Sequence, residues 1–217
     1  MSRAKVTTAL GAAVVGVAAT LLVTPAAATA TPCPDVELIF ARGTSEDPGL
    51  GRVGTKLESE LRAKLPDKTL TTYSVTYPAT WDFLAAQDGA LDAQNRIVTM
   101  SSTCPDTRLV LGGYSQGAAI MDMLMGVPPL GDKIGAIGSA PPLPATLRHN
   151  IAAIAVFGNP STKFSKPITI GQLGNRSIDL CSDGDPICSR GRNPFAHTNY
   201  EDGPMVGQAA EFAANLI

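Results

Sequence analysis

Histidine occurs only twice in the 217 residues, and the four cysteines never form a Cys-x-x-Cys pair. Zinc and related sites are built from clustered imidazoles and thiolates, so this chain lacks their ligands. Neither a metal nor a cofactor is expected. Charged residues are scarce as well, at 17%, where an ordinary globular chain carries about 25%. No run of Lys or Arg occurs and the formal net charge is −2, which excludes the basic patch that a nucleic-acid binder needs to displace counterions from phosphates. Internal repeats and low-complexity linkers are absent, so solenoids and tethered arrays are excluded too. Beyond the first thirty residues no apolar run is long enough to span a bilayer.

The first thirty residues have their own pattern. Arg3 and Lys5 are followed by a nearly uncharged stretch over 6–23, then Pro25 and small residues that offer an A-x-A cleavage site before Thr31. This is the pattern of a secretory signal peptide over 1–30. Export is therefore expected, to the extracellular space or the cell wall. A retained N-terminal anchor is the alternative, since the apolar stretch is near the lower limit for a span. Residues 31–217 suffice for a single domain with a substantial core, expected to act as a monomer without a transmembrane segment.

Cys33, Cys104, Cys181 and Cys188 all lie in the exported part, where an even count in an oxidising compartment reads as two disulfides. Cys181 and Cys188 are close enough to staple one loop, which leaves Cys33 to join Cys104. In the loop-entropy view the long closure stabilises by about 4 kcal/mol and the short one by about 2.5, before strain is subtracted.

Aliphatic and β-branched runs predict strands over 36–41, 70–77, 108–112, 151–157 and 176–181. Between them lie helical patterns over 52–65, 82–101 and 205–217, the first with a stripe at Val53, Leu57, Leu61 and Leu65. The proline-rich segment 126–144 has no clear period and reads as a loop with short helical turns. Strands alternating with helices indicate βαβ units, hence an α/β fold with a parallel sheet covered on both faces.

Within this frame, Gly113-Tyr114-Ser115-Gln116-Gly117 falls between a compact strand and the helix start at Ala118-Ala119-Ile120-Met121. A serine on such a strand-to-helix turn is the nucleophile elbow of an α/β-hydrolase. Small flanking residues are needed because the strained turn passes close to its neighbours. An alcohol is a poor nucleophile unless a base takes its proton, and histidine is the usual base. His149 lies just before the strand at 151–157, at the wrong edge of the sheet. His197 follows the last strand and precedes the final helix, so the base is assigned there. The chain order Ser, acid, His leaves Asp179, Asp183 and Asp185. Asp179 falls inside a strand. Asp183 and Asp185 lie in the stapled loop; spacing favours Asp185, stiffened by Pro186, and leaves Asp183 open. Two donors for an oxyanion are expected from the N–H of Gln116 and from Thr44 in the loop Arg42-Gly43-Thr44-Ser45-Glu46.

These residues make the chain resemble the cutinase family, in particular its actinobacterial cutinase-like members. The resemblance is carried by Phe40-Ala41-Arg42-Gly43-Thr44, Gly112-Gly113-Tyr114-Ser115-Gln116-Gly117, the segment 181–188 and Ala196-His197. It implies Ser115 as nucleophile, Asp185 as acid, His197 as base, an oxyanion hole from Thr44 and Gln116, and the pairs Cys33–Cys104 and Cys181–Cys188. It also implies a central five-stranded parallel sheet, the three-layer α/β-hydrolase sandwich and no large lid. Two loops would flank the serine, 78–85 with Trp81, Phe83 and Leu84, and 189–196 with Phe195; these side chains either contact an acyl chain or pack the core. Thr44 keeps the hydroxyl of the serine common in fungal relatives and adds a methyl. The expected activity is hydrolysis of short or medium acyl esters, cutin-like polyesters or lipids. Acyl transfer by the same residues is one alternative, and a catalytically silent secreted binding protein is the other.

Overall fold

A strand buried on both faces must be apolar at successive positions, not alternate ones. The run Ile-Ala-Ala-Ile-Ala-Val-Phe at 151–157 meets that requirement and is fully buried. The computed structural model describes residues 1, 4–5, 32–130 and 138–217. The signal peptide read over 1–30 thus lies almost wholly outside the described residues, as does the middle of the proline-rich segment. The chain divides into Met1–Pro32 and Cys33–Ile217, and the second unit carries the described regular elements. No helix among the described residues is long and apolar enough to cross a membrane.

In chain order the elements are β1 (Val36–Ala41), α1 (Gly51–Lys64), β2 (Leu70–Ser74), α2 (Ala86–Thr103), β3 (Arg108–Tyr114), α3 (Gln116–Met125), β4 (Ile151–Phe157), β5 (Ser177–Leu180), α4 (Pro194–Thr198) and α5 (Met205–Ala214). The strands form one sheet in the order β2-β1-β3-β4-β5, and every neighbouring pair is parallel. With β1 between β2 and β3, the winding direction reverses between β1 and β3. Doubly wound sheets hold their ligands outside the carboxyl ends of the strands at such a switch point.

Period-two alternation sorts the strand residues into two cores. Ile39, Ala41, Leu109 and Leu111 pack on one face with α2 and α3. Val36, Leu38, Phe40 and Val110 pack on the other with α1 and α5. The result is the three-layer α/β sandwich that the resemblance implies. Val53, Leu57 and Leu61 are buried under α1, while Leu65 caps that helix. The two disulfides join Cys33 to Cys104 and Cys181 to Cys188.

Several boundaries differ from the sequence expectation for identifiable reasons. β2 ends at Ser74: the Val75 N–H still donates to the Phe40 carbonyl of β1, but after it the chain turns to side chains, the Thr76 N–H donating to Asp92 and the Tyr77 carbonyl accepting from Arg42. β3 runs on through Gly113 and Tyr114, which pair with Val156 and Phe157. α2 starts only at Ala86, after a single turn over Phe83–Ala85 that Asp82 caps. α4 is a short helix that the hydrophobic pattern did not indicate; Asn193 caps it and Pro194 occupies its first turn, which is a recognised start signal.

Two of the buried acids, Glu37 and Asp122, sit on elements that pack the core. Glu37 on β1 is met by Arg96 of α2, whose Nε donates at 2.8 Å. Asp122 on α3 has no such cation among the described residues. It is fully buried, and its Oδ1 accepts from Asn159 Nδ2 at 3.2 Å, an amide that also donates to Asp179 Oδ2 at 2.8 Å. Burial, and then the charge of Asp179, push the Asp122 carboxyl well above the usual carboxylate range, against the opposing pull of the nearby Ser161 hydroxyl and the Asn159 amide.

A raised folded-state value means that the unfolded aspartate ionises first as pH climbs, so Asp122 costs the parent stability progressively above the ordinary aspartate range. Asp122→Asn removes that cost and keeps an acceptor for Asn159. Thermal unfolding at pH 4, 6 and 8 is expected to show the Asn variant gaining on the parent as pH rises. Asp122→Ala leaves one N–H of the buried Asn159 amide without its partner and is expected to lose about 1–3 kcal/mol.

Candidate active site

The carboxyl ends of β1 and β3 converge at the switch point. β3 passes into α3 through Ser115, which has φ 55° and ψ −114°, a conformation that costs of order 1–3 kcal/mol for a residue with a Cβ. Close packing holds it there. A Cβ on Gly117 would lie 1.9 Å from the carbonyl oxygen of Ala41, and one on Gly113 would lie 2.2 Å from that of Gly117. The two glycines let the turn press against the end of β1, and the Ser115 N–H donates to the Phe157 carbonyl at 2.9 Å. Ser115 also stands at the positive end of α3.

His197 is on α4 and Asp185 in the loop closed by Cys181 and Cys188. His197 Nδ1 is 2.8 Å from Asp185 Oδ2, and Nε2 is 2.9 Å from Ser115 Oγ. Asp185 is fully buried. Burial would raise its carboxyl, but hydrogen bonds from His197, Tyr200 and the Ile187 N–H outweigh burial and hold it below the usual value. An ionised carboxylate only accepts, so the proton between Asp185 and His197 belongs to Nδ1. Nε2 is then left with its lone pair toward the Ser115 hydroxyl. Such a row can take a proton from an attacking alcohol and return it to a leaving group.

Two tyrosines that sequence reasoning passed over fasten this row. The Tyr114 hydroxyl donates to the His197 carbonyl at 2.6 Å, and the rings lie 5.1 Å apart at 31°. The Tyr200 hydroxyl donates to Asp185 Oδ2 at 2.7 Å and accepts from the Ser182 N–H at 2.9 Å. Tyr114 had a visible signal in its place beside the serine. Tyr200 had none, because only the fold brings it beneath Asp185. Of the other acids and bases weighed from sequence, Asp183 is exposed, Asp179 joins the buried cluster with Asn159, and His149 is exposed and bonded to the Thr146 carbonyl.

On the β1 side, the buried Arg42 fixes the loop that bears Thr44. Its Nε donates to the Glu46 carbonyl and its Nη2 to the Tyr77 carbonyl, both at 2.8 Å. The Ser45 N–H donates to the Ala79 carbonyl at 2.7 Å. The Thr44 hydroxyl donates to Gln116 Oε1 at 3.2 Å, so the two residues read as oxyanion donors are neighbours.

Ser115 and His197 open into a cleft of about 410 Å³, together with Thr44 and Gln116. Its apolar wall is made by Trp81, Phe83, Leu130, Pro160 and Ile187, and its polar wall includes Glu46, Arg52 and Thr198. Of the four side chains picked from the flanking loops, Trp81 and Phe83 line the cleft, paired at 5.9 Å. Leu84 and Phe195 are 50% and 70% exposed and stand outside its lining.

The cutinase family model matches residues 32–217. A phospholipase of Mycobacterium tuberculosis, Culp4, is 50% identical over 204 residues, covering 92% of this chain and 87% of its own. The carboxylesterase Culp1 of Mycobacterium bovis is 39% identical, covering 88% and 85%. Among solved structures, a Trichoderma reesei cutinase bound to a phosphonate inhibitor superposes with a TM-score of 0.67 at 30% identity, covering 85% of this chain and 77% of that one.

The close approach at Gly117 gives a direct check on how the turn is held. Gly117→Ala drives a Cβ into the Ala41 carbonyl, and overpacking of this kind costs about 1–3 kcal/mol. Chemical denaturation is expected to show that loss, and the folded variant is expected to react more slowly with a phosphonate ester than the parent does.

Proposed function

The chain belongs to the cutinase family of carboxylic ester hydrolases, and from that premise we propose that Ser115 is its nucleophile, His197 its general base and acid, and Asp185 the carboxylate that orients the histidine and stabilises its charged form. The observation that carries this reading is the continuous row from Ser115 Oγ through His197 to the buried Asp185, open at its serine end to a largely apolar cleft.

The reaction runs in two halves. Ser115 Oγ attacks the ester carbonyl carbon while Nε2 takes its proton, and the carbonyl oxygen becomes an oxyanion. The N–H of Gln116 and the Thr44 donors stabilise that charge, the role that preorganised donors fill in acyl transfer. The tetrahedral intermediate collapses, the alcohol leaves with the proton from Nε2, and an acyl-enzyme remains. Water then attacks the acyl carbon, Nε2 takes its proton, and Ser115 recovers it as the acid departs. Trp81 and Phe83 form the wall against which a short or medium acyl chain lies. The name of the Mycobacterium tuberculosis relative brings glycerophospholipid esters within the range to be tested.

Export completes the proposal. The leader pattern over 1–30 and the two disulfides support a chain that is cleaved before Thr31 and works outside the cytoplasm. Thr31 as the first residue of the secreted protein is the expected N-terminal sequence.

Labelling with a p-nitrophenyl phosphonate, followed by peptide mapping, is expected to place a single adduct on Ser115. Ser115→Ala is expected to lose at least about 10³-fold in kcat/KM, the usual scale for a nucleophile. Across p-nitrophenyl esters of increasing chain length, Trp81→Ala is expected to raise KM for butyrate and octanoate several-fold and leave acetate nearly unchanged. Adducts elsewhere, or an active Ser115→Ala protein, would overturn the assignment.

A further inference from the structure

Asp185 Oδ2 accepts two hydrogen bonds, from His197 Nδ1 at 2.8 Å and from the Tyr200 hydroxyl at 2.7 Å, while its Oδ1 accepts from the Ile187 N–H at 2.7 Å. We propose that Tyr200 is a positioning residue for the reaction: by holding the oxygen that His197 uses, it sets how readily the histidine gives up its proton. This rests on the roles given above to Ser115, His197 and Asp185.

The direction of the Tyr200 bond follows from its partners. The Ser182 N–H can only donate, so it occupies a lone pair of the phenol oxygen. The hydroxyl proton is left for Asp185 or for Cys188 Sγ at 3.5 Å, and an ionised carboxylate is much the better acceptor. Burial pushes the phenol well above its ordinary range, so it stays protonated and goes on donating. The ring itself is locked. It is 2% exposed, and it packs against Phe157 at 6.1 Å, Tyr114 at 5.7 Å and His197 at 6.3 Å. A phenol that can neither turn nor ionise is a fixed donor.

Two donors on one oxygen compete. The phenol withdraws charge from Oδ2 and makes the carboxylate a weaker partner for the imidazolium, which keeps His197 ready to lose its proton. It also stops the carboxylate from rotating away from Nδ1. Removing the hydroxyl has two separable effects. A more basic Asp185 holds the imidazolium longer, so the acid limb of the pH–rate profile moves to higher pH. A looser carboxylate orients the histidine less often, so the plateau falls.

The test is Tyr200→Phe, assayed with p-nitrophenyl butyrate and normalised to sites titrated by a phosphonate. Expected are a kcat lower by roughly tenfold, the scale of one hydrogen bond to a charged group, a KM within a factor of about two, and an acid limb moved upward by roughly half a pH unit. Because Tyr200 acts through Asp185, the same change in an Asp185→Asn background is expected to have no further effect on kcat. An unmoved acid limb overturns the proposal, as does an equal further loss in the Asp185→Asn background. Ser115→Ala and His197→Ala, run alongside, separate the two levels: activity in either sinks the triad assignment itself, whereas inactive controls with a parental Tyr200→Phe profile sink only the role of Tyr200. Should Tyr200→Phe fail to fold, 3-fluorotyrosine introduced at position 200 supplies a stronger donor. It is expected to move the acid limb to lower pH, and a shift upward or no shift overturns the proposal.

Discussion

The site depends on the contact between the turn at Ser115 and the end of β1. Gly117 lies so near the Ala41 carbonyl that a single methyl would not fit. That approach does three things at once. It holds a non-glycine residue at positive φ, it aims the first turn of α3 at the switch point, and it sets Gln116 beside Thr44. Each alone would be costly or mobile, but together they are over-determined by two strands and a helix. Strain of this kind persists only where the surroundings leave it no relief.

Charge is distributed with the same economy. Asp185 and Asp122 are both fully buried, yet their surroundings move their carboxyls in opposite directions. Three donors surround Asp185, and a neutral amide shared with a second acid is what Asp122 receives. Burial disfavours ionisation in both, and the number of donors decides which acid stays charged. An anion is thereby kept where the histidine needs one, held by neutral donors and, among the described residues, by no Lys or Arg.

Much of this was legible in the chain itself, for physical reasons that also mark the limits. The sheet could be read because strands buried on both faces must be continuously apolar, and the serine turn because only small residues fit its flanks. The end of β2 could not, since the chain beyond it is held by Asp92 and by the guanidinium of Arg42, side chains distant in sequence. The buried roles of Asp122 and Tyr200 were equally invisible. A polar residue within a helix or just beyond one carries no local mark of whether tertiary packing will bury it. The helix at Pro194–Thr198 is different: its Asn-Pro start was present and was passed over because the segment is too short to show a hydrophobic period.

The disulfide between Cys33 and Cys104 has a consequence in time as well as in stability. Parallel β1 and β3 are paired from Val36 against Arg108 onward, and a pairing of such sequence separation must close a long loop before any contact rewards it. The disulfide joins the residues just ahead of both strands, so once it has formed that closure is already made. Oxidation thus turns the most distant pairing in the sheet into a local one, and lowers the loop-closure cost of assembling the switch point that holds the site.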